Sequence, residues 1–154
     1  IGPLQSNKTR LIAENFAWIH SVDRLKIAQR LSDQRPPSLA PLNICLQINI
    51  DNESTKSGFT STQALEAALE IARLPGIRLR GLMAIPQSRH SLEDQRAPFR
   101  RLRELKDQIN ELLDNLQKLD TLSMGMSGDM EAAILEGATI VRVGTDIFGD
   151  RAAL

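Results

Sequence analysis

The spacing of apolar and polar positions changes period repeatedly along the chain, and those changes divide it into elements. Residues 43–50 (NICLQINI) alternate cleanly, with Ile44, Leu46, Ile48 and Ile50 on one side and Cys45, Gln47 and Asn49 on the other. That pattern predicts a strand with one apolar face and one wetter face. Residues 17–22, 77–85, 120–125 and 139–144 are short apolar runs and read as further strands. Helical spacing fills the gaps. Leu25, Ala28 and Leu31 share a face of a helix over 24–34, with Asp23 as its expected N-cap, and Leu65, Ala68, Leu69 and Ala72 mark a helix over 61–73. A long helix over 91–117 is expected to bury Phe99, Leu102, Leu105, Ile109, Leu112, Leu113 and Leu116. Shorter helices are expected over 7–15 and 128–136, the second ended by Gly137 in a left-handed conformation. Prolines 36, 37 and 41, the Pro75-Gly76 pair, Pro86 and the turn-rich stretch 51–60 supply the breaks.

Strands alternating with helices predict an α/β fold in which helices cover a parallel sheet. Five strands are expected. A complete (β/α)8 barrel takes about 250 residues, so the 154 here are too few for one. The sheet is either open or part of an incomplete barrel. The abrupt opening Ile1-Gly2-Pro3-Leu4, which looks like a strand end running into a loop, favours the C-terminal five strands of a (β/α)8 TIM-type barrel.

Composition narrows the function. The 19 basic and 19 acidic residues cancel, and aromatic side chains are sparse with no Tyr, which argues against a nucleic-acid surface. The one local basic cluster (Arg96, Arg100, Arg101 and Arg103) reads as a solvated helix face. The single cysteine, Cys45, suits a reducing cytoplasm, and the absence of an apolar run of about 18 residues leaves no membrane-crossing helix. His20 and His90 lack metal-ligand spacing and read as structural.

In parallel α/β folds ligands bind where strands run into helices. Two such turns combine small residues with donors. Ser123-Met124-Gly125-Met126-Ser127 leads into a helix and offers hydroxyl groups and backbone N–H groups, although a helix cap and a tight turn alone would account for it. Arg142-Val143-Gly144-Thr145 ends the last strand, and if Val141 and Val143 meet the helices, Arg142 points into the barrel, where it needs an acceptor. Two phosphate-competent turns on consecutive strands fit the usual position of phosphate sites in this architecture.

These residues also carry a family resemblance. Ile1 to Lys8, Asn49-Ile50, Lys56-Ser57-Gly58, Arg80 to Pro86, Leu122 to Ser127, Asp129 to Ala132, Val141 to Thr145 and Ile147 to Gly149 resemble, in order, the YggS-type pyridoxal phosphate homeostasis proteins. Their barrel is similar to the N-terminal domain of alanine racemase. The resemblance implies a pyridoxal 5′-phosphate (PLP) site in which Ser123, Met126, Ser127, Gly144 and Thr145 surround the cofactor, mainly its phosphate, while Arg142 faces the pyridine nitrogen. It implies a non-catalytic carrier or buffer of vitamin B6 in the cytoplasm, with PLP-dependent apoenzymes as recipients. The whole protein is expected to be monomeric, and a partial barrel is expected to associate or lose stability.

The family's cofactor-linking lysine lies in an Ala-Val-Ser-Lys-like segment on the first barrel strand, and no such segment occurs here. Residues 1–154 are therefore expected to form a partial PLP-binding barrel without its first strands or Schiff-base lysine. Lys8 and Lys56 belong to other motifs. An amino-acid racemase is the alternative, but it would need a tyrosine base from a second domain, and this chain has no Tyr. A sugar-phosphate barrel enzyme is a third reading, in which Arg142 has no required place.

Overall fold

The computed structural model describes residues 1–149. After a 3₁₀ turn at Ser6–Lys8, and with a second at Asn115–Gln117 before β4, helices and strands alternate: α1 (Thr9–Asn15), β1 (Trp18–Val22), α2 (Leu25–Gln34), β2 (Leu42–Gln47), α3 (Ser61–Ile71), β3 (Ile77–Met83), α4 (Leu92–Leu112), β4 (Thr121–Met126), α5 (Met130–Leu135), β5 (Ile140–Arg142) and α6 (Thr145–Phe148). The five strands form one parallel sheet in the order β1-β2-β3-β4-β5. Each crossover returns the chain to the neighbouring position, the connectivity of a barrel wall. Helices α1 to α5 contact one another in succession and so form a single layer. The predicted α/β half-barrel is the observed fold.

The core lies between that layer and the sheet. Ile44, Leu46, Leu79, Leu82 and Leu122 from the strands meet Ile27, Leu31, Ile71, Phe99, Leu102 and Ile109 from the helices, all buried. The other, concave face of the sheet is polar. There Trp18, Asn43 and Arg80 meet: the Arg80 guanidinium lies 4.8 Å from the Trp18 ring centroid and donates to Asn43 Oδ1 at 3.1 Å. Helix α3 begins at a capping box, with Thr60 and Gln63 each accepting from the other's backbone N–H.

Four expectations need correction. The strand over 43–50 ends at Gln47, because Asn49 folds the chain into a turn by donating to Glu53 O (2.7 Å) and accepting from Glu53 N–H (3.0 Å); Ile48 keeps a bridge to Phe59 and donates to Met83 O (2.8 Å). Helix α4 stops at Leu112 because Leu113 turns extended (ψ 148°) and caps it; Leu113 stays buried, while Leu112 and Leu116 are exposed. Asp23 does not cap α2: Arg24 holds the N-cap position in extended conformation, and the Asp23 carboxylate accepts from the Arg24 guanidinium instead. The arginine cluster of α4 is only partly solvated. Arg96, Arg100 and Arg103 converge on Glu136, whose side chain is 1% exposed, and Arg101 pairs with Asp51.

Candidate functional site

The C-terminal ends of β4 and β5 enclose a cleft of about 580 Å³. Met126, Ser127, Arg142, Gly144 and Thr145 line it, so five of the six residues singled out in the sequence come together. Ser123 does not reach the cleft; it is fully buried beneath it.

The first turn is rigid for identifiable reasons. Gly125 sits at φ +92°, and a Cβ there would lie 2.5 Å from Ala133 Cβ on α5, so only glycine lets β4 run this close to the helix. Beyond it, the Asp129 carboxylate accepts from Met126 N–H at 2.6 Å, and Asp129 N–H donates to Met126 O at 3.1 Å. The second turn is tied to the first through one oxygen: Ser127 Oγ accepts from the N–H groups of Gly144 (3.3 Å) and Asp146 (3.4 Å). Two backbone donors thus converge on a single oxygen at the cleft wall, the arrangement that a phosphate oxygen requires.

Arg142 forms the floor. Its Nη1 donates to Ser123 O (2.9 Å) and Ser123 Oγ (2.7 Å), and its Nη2 donates to Ala84 O (3.0 Å). Five N–H donors are available on a guanidinium. Among the described residues, Nε–H and one Nη2–H have no protein acceptor, and no carboxylate pairs with the group. Burial holds the Arg142 pKa below its ordinary value, partly offset by the negative charge of Asp129. A half-buried cation without a carboxylate partner suits a polar or anionic ligand atom.

His20 was not singled out as a site residue in the sequence, yet its Nδ1 lies 2.8 Å from Ser123 Oγ, reaching from β1 to β4 across the concave face. Its alternation with Trp18 along β1 is the signal that places it on that face. Burial, then the positive charge of Arg142, lowers its pKa. Cys45, fully buried on β2, has its thiol pushed up to about 12, chiefly by burial, so it is no nucleophile at neutral pH.

A second hollow of about 380 Å³ opens at the ends of β2 and β3, where Lys56 donates to Ile85 O (3.1 Å) and pairs with Glu53 (2.6 Å). Its rim is pinned by Asp51, 6% exposed, which accepts from Gln87 N–H, from both Nη atoms of Arg89 and from Arg101. Gln95 links this rim to the cleft at the ends of β4 and β5 by donating to Arg89 O (2.9 Å) and Gly128 O (3.3 Å). Burial alone would raise the Asp51 pKa, but the bonds from Arg89 and Gln87 and the charges of Arg89 and Arg101 outweigh it and hold the carboxyl below its usual range. A depressed folded-state pKa adds stability that is present above the unfolded value, about 4, and lost as pH falls through the folded value. Urea midpoints followed downward from neutral pH should therefore fall more steeply for the natural chain than for Asp51→Asn; parallel curves would contradict this.

Among the described residues no helix is long and apolar enough to cross a membrane, and no cluster of three potential metal ligands occurs.

The family model for the alanine racemase N-terminal domain matches residues 1–152. The pyridoxal phosphate homeostasis protein of Pseudomonas aeruginosa is 60% identical over 151 residues, covering 98% of this chain and 63% of its own. This chain therefore spans less than two thirds of that relative's length. PipY from Synechococcus elongatus, solved with PLP bound, superposes with a TM-score of 0.85 at 33% identity, over 97% of this chain and 68% of its own. Alanine racemase from Clostridium difficile superposes with a TM-score of 0.76 at 18% identity, over 99% of this chain and 39% of its own, a likeness of fold.

Proposed function

We propose, because the chain belongs to the alanine racemase N-terminal domain family, that its cleft holds pyridoxal 5′-phosphate in a carrier that buffers the cofactor rather than turning over a substrate. The observation that carries the reading is the donor set: convergent N–H groups from Gly144 and Asp146 beside Ser127, and below them a guanidinium without a carboxylate partner. In this reading Ser127, Gly144 and Thr145 hold the phosphate, Met126 packs at the mouth, and Ser123 acts from beneath through Arg142. The names of the relatives support it: one is a pyridoxal phosphate homeostasis protein and another is a structure with PLP bound.

When bound, PLP supplies an aldehyde and a ring that draws electrons from attached groups. Arg142 works against the second property. A guanidinium stays protonated and only donates, so it can bond an unprotonated ring nitrogen but cannot accept from a protonated one. The ring is then held in its weaker electron-withdrawing form, which favours retention over carbanion chemistry. The role is placed in the cytoplasm, in keeping with the lone buried thiol, and PLP-dependent apoenzymes are the proposed recipients.

Equilibrium dialysis of PLP against the chain should give saturable binding. Arg142→Ala should weaken it by about 10- to 100-fold, the worth of a hydrogen bond from a charged donor, with Ser127→Ala nearer the lower end. Unchanged affinity in both variants, or no saturable binding by the natural chain, would reject the assignment. Alanine racemisation at enzymatic rates would reject the carrier role.

A further inference from the structure

We infer that His20 is a positioning residue for Arg142, acting through the Ser123 hydroxyl. The inference rests on the reading above, in which Arg142 faces the pyridine nitrogen.

Hydrogen counting carries it. Arg142 can only donate, so at 2.7 Å Ser123 Oγ accepts from Nη1. The single hydroxyl proton of Ser123 must go elsewhere, and among the described residues the other partner of Oγ is His20 Nδ1 at 2.8 Å. Ser123 is fully buried, so an unplaced proton would leave an orphaned donor. The hydroxyl therefore donates to His20, which makes Nδ1 an acceptor and places the ring proton on Nε2. A proton on Nδ1 would aim two donors at one oxygen and strand the hydroxyl hydrogen.

The consequence is directional. With its proton committed to His20, the Ser123 oxygen offers a lone pair to Nη1, while Ser123 O takes the other Nη1–H and Ala84 O takes one from Nη2. The guanidinium plane is then fixed by three acceptors, and Nε–H with the second Nη2–H forms the edge left for a ligand. A residue on β1 thus sets the ligand-facing edge of a side chain on β5, spanning the concave face. Without the His20 acceptor the hydroxyl is free to turn its proton toward the guanidinium, and the plane of Arg142 loses one of its three fixings. The phosphate donors at Ser127 and Gly144 are untouched by that change.

Two measurements test it. Long-range ¹H–¹⁵N NMR of the ligand-free chain should show His20 as the neutral Nε2–H tautomer; an Nδ1–H tautomer, or an imidazolium at neutral pH, would overturn the relay. In binding, His20→Leu removes the acceptor, whereas His20→Asn can present its amide oxygen close to the place of Nδ1. His20→Leu should weaken PLP by about tenfold and alter the absorption of the bound cofactor, with affinity for inorganic phosphate unchanged, and His20→Asn should recover both PLP properties. Equal loss for PLP and inorganic phosphate, a His20→Asn variant as defective as His20→Leu, or a silent His20→Leu would overturn it. If the natural chain binds no PLP, the parent reading fails, and the tautomer still decides whether the relay exists.

Discussion

Gly81→Ala should abolish cooperative folding. Gly81 pairs with Thr121 in the ladder between β3 and β4. A Cβ at Gly81 would lie 1.8 Å from Thr121 O and 2.6 Å from Thr121 C, contacts with backbone rather than with the end of a side chain that could turn away. Relief requires β4 to leave β3, which forfeits ladder hydrogen bonds along the strand that leads into the cleft. Ordinary overpacking costs about 1–3 kcal/mol; the loss of strand pairing should take this variant beyond about 4 kcal/mol, a large share of a domain's total of roughly 5–15. Urea unfolding followed by circular dichroism should show no native baseline for Gly81→Ala. Gly128→Ala, where an added Cβ meets nothing within 4 Å, should keep the transition. A Gly81→Ala midpoint equal to that of the natural chain would refute the argument.

Glu136→Ala should lose about 3 kcal/mol. Glu136 caps the C-terminus of α5, and its carboxylate forms ion pairs with Arg96 (2.8 Å), Arg100 (3.3 Å) and Arg103 (3.3 Å). Removing one member of a buried ion cluster typically costs about 3–5 kcal/mol. The lower end applies here because the three arginines are 31–40% exposed and stay partly hydrated. Without the carboxylate they become three neighbouring like charges, so part of the loss should return at high salt. The damage reaches the cleft, because α5 carries Ala133, the neighbour that confines Gly125. Chemical denaturation at low and high salt measures both effects; a loss below about 0.5 kcal/mol, the scale of an ordinary surface change, would show the cluster to be ornamental.

Periodicity reveals which segments are strands and helices, because alternation in NICLQINI and helical spacing in α4 are local patterns. It misses where they stop. Leu112, Leu113 and Leu116 are equally apolar, and only the extended backbone at Leu113 decides which of them is buried. Asp23 and Arg24 differ in cap propensity, but the backbone gives Arg24 the position. Long-range polar contacts are the least legible. Arg96 reads as a surface residue until Glu136, forty positions on, folds against it. The two cleft turns stand out because small residues and donors cluster within each, whereas His20 is tied to Ser123 from 103 positions away; alternation along β1 places it on the polar face, but nothing local names its partner.

The buried thiol of Cys45 has a practical consequence. It sits on β2 with no exposed surface, and its pKa is pushed up to about 12. Thiolate is the reactive form, so alkylating reagents meet almost none of it while the sheet is closed. Labelling must wait for β2 to open to solvent, after which the thiol reacts as an ordinary cysteine. The rate of labelling therefore clocks the opening of the strand, and the ratio to the rate in urea gives the free energy of that opening. With a single cysteine in the chain, the protein carries its own unfolding gauge at the centre of its sheet, and ligands that tighten the structure can be detected by the protection they confer.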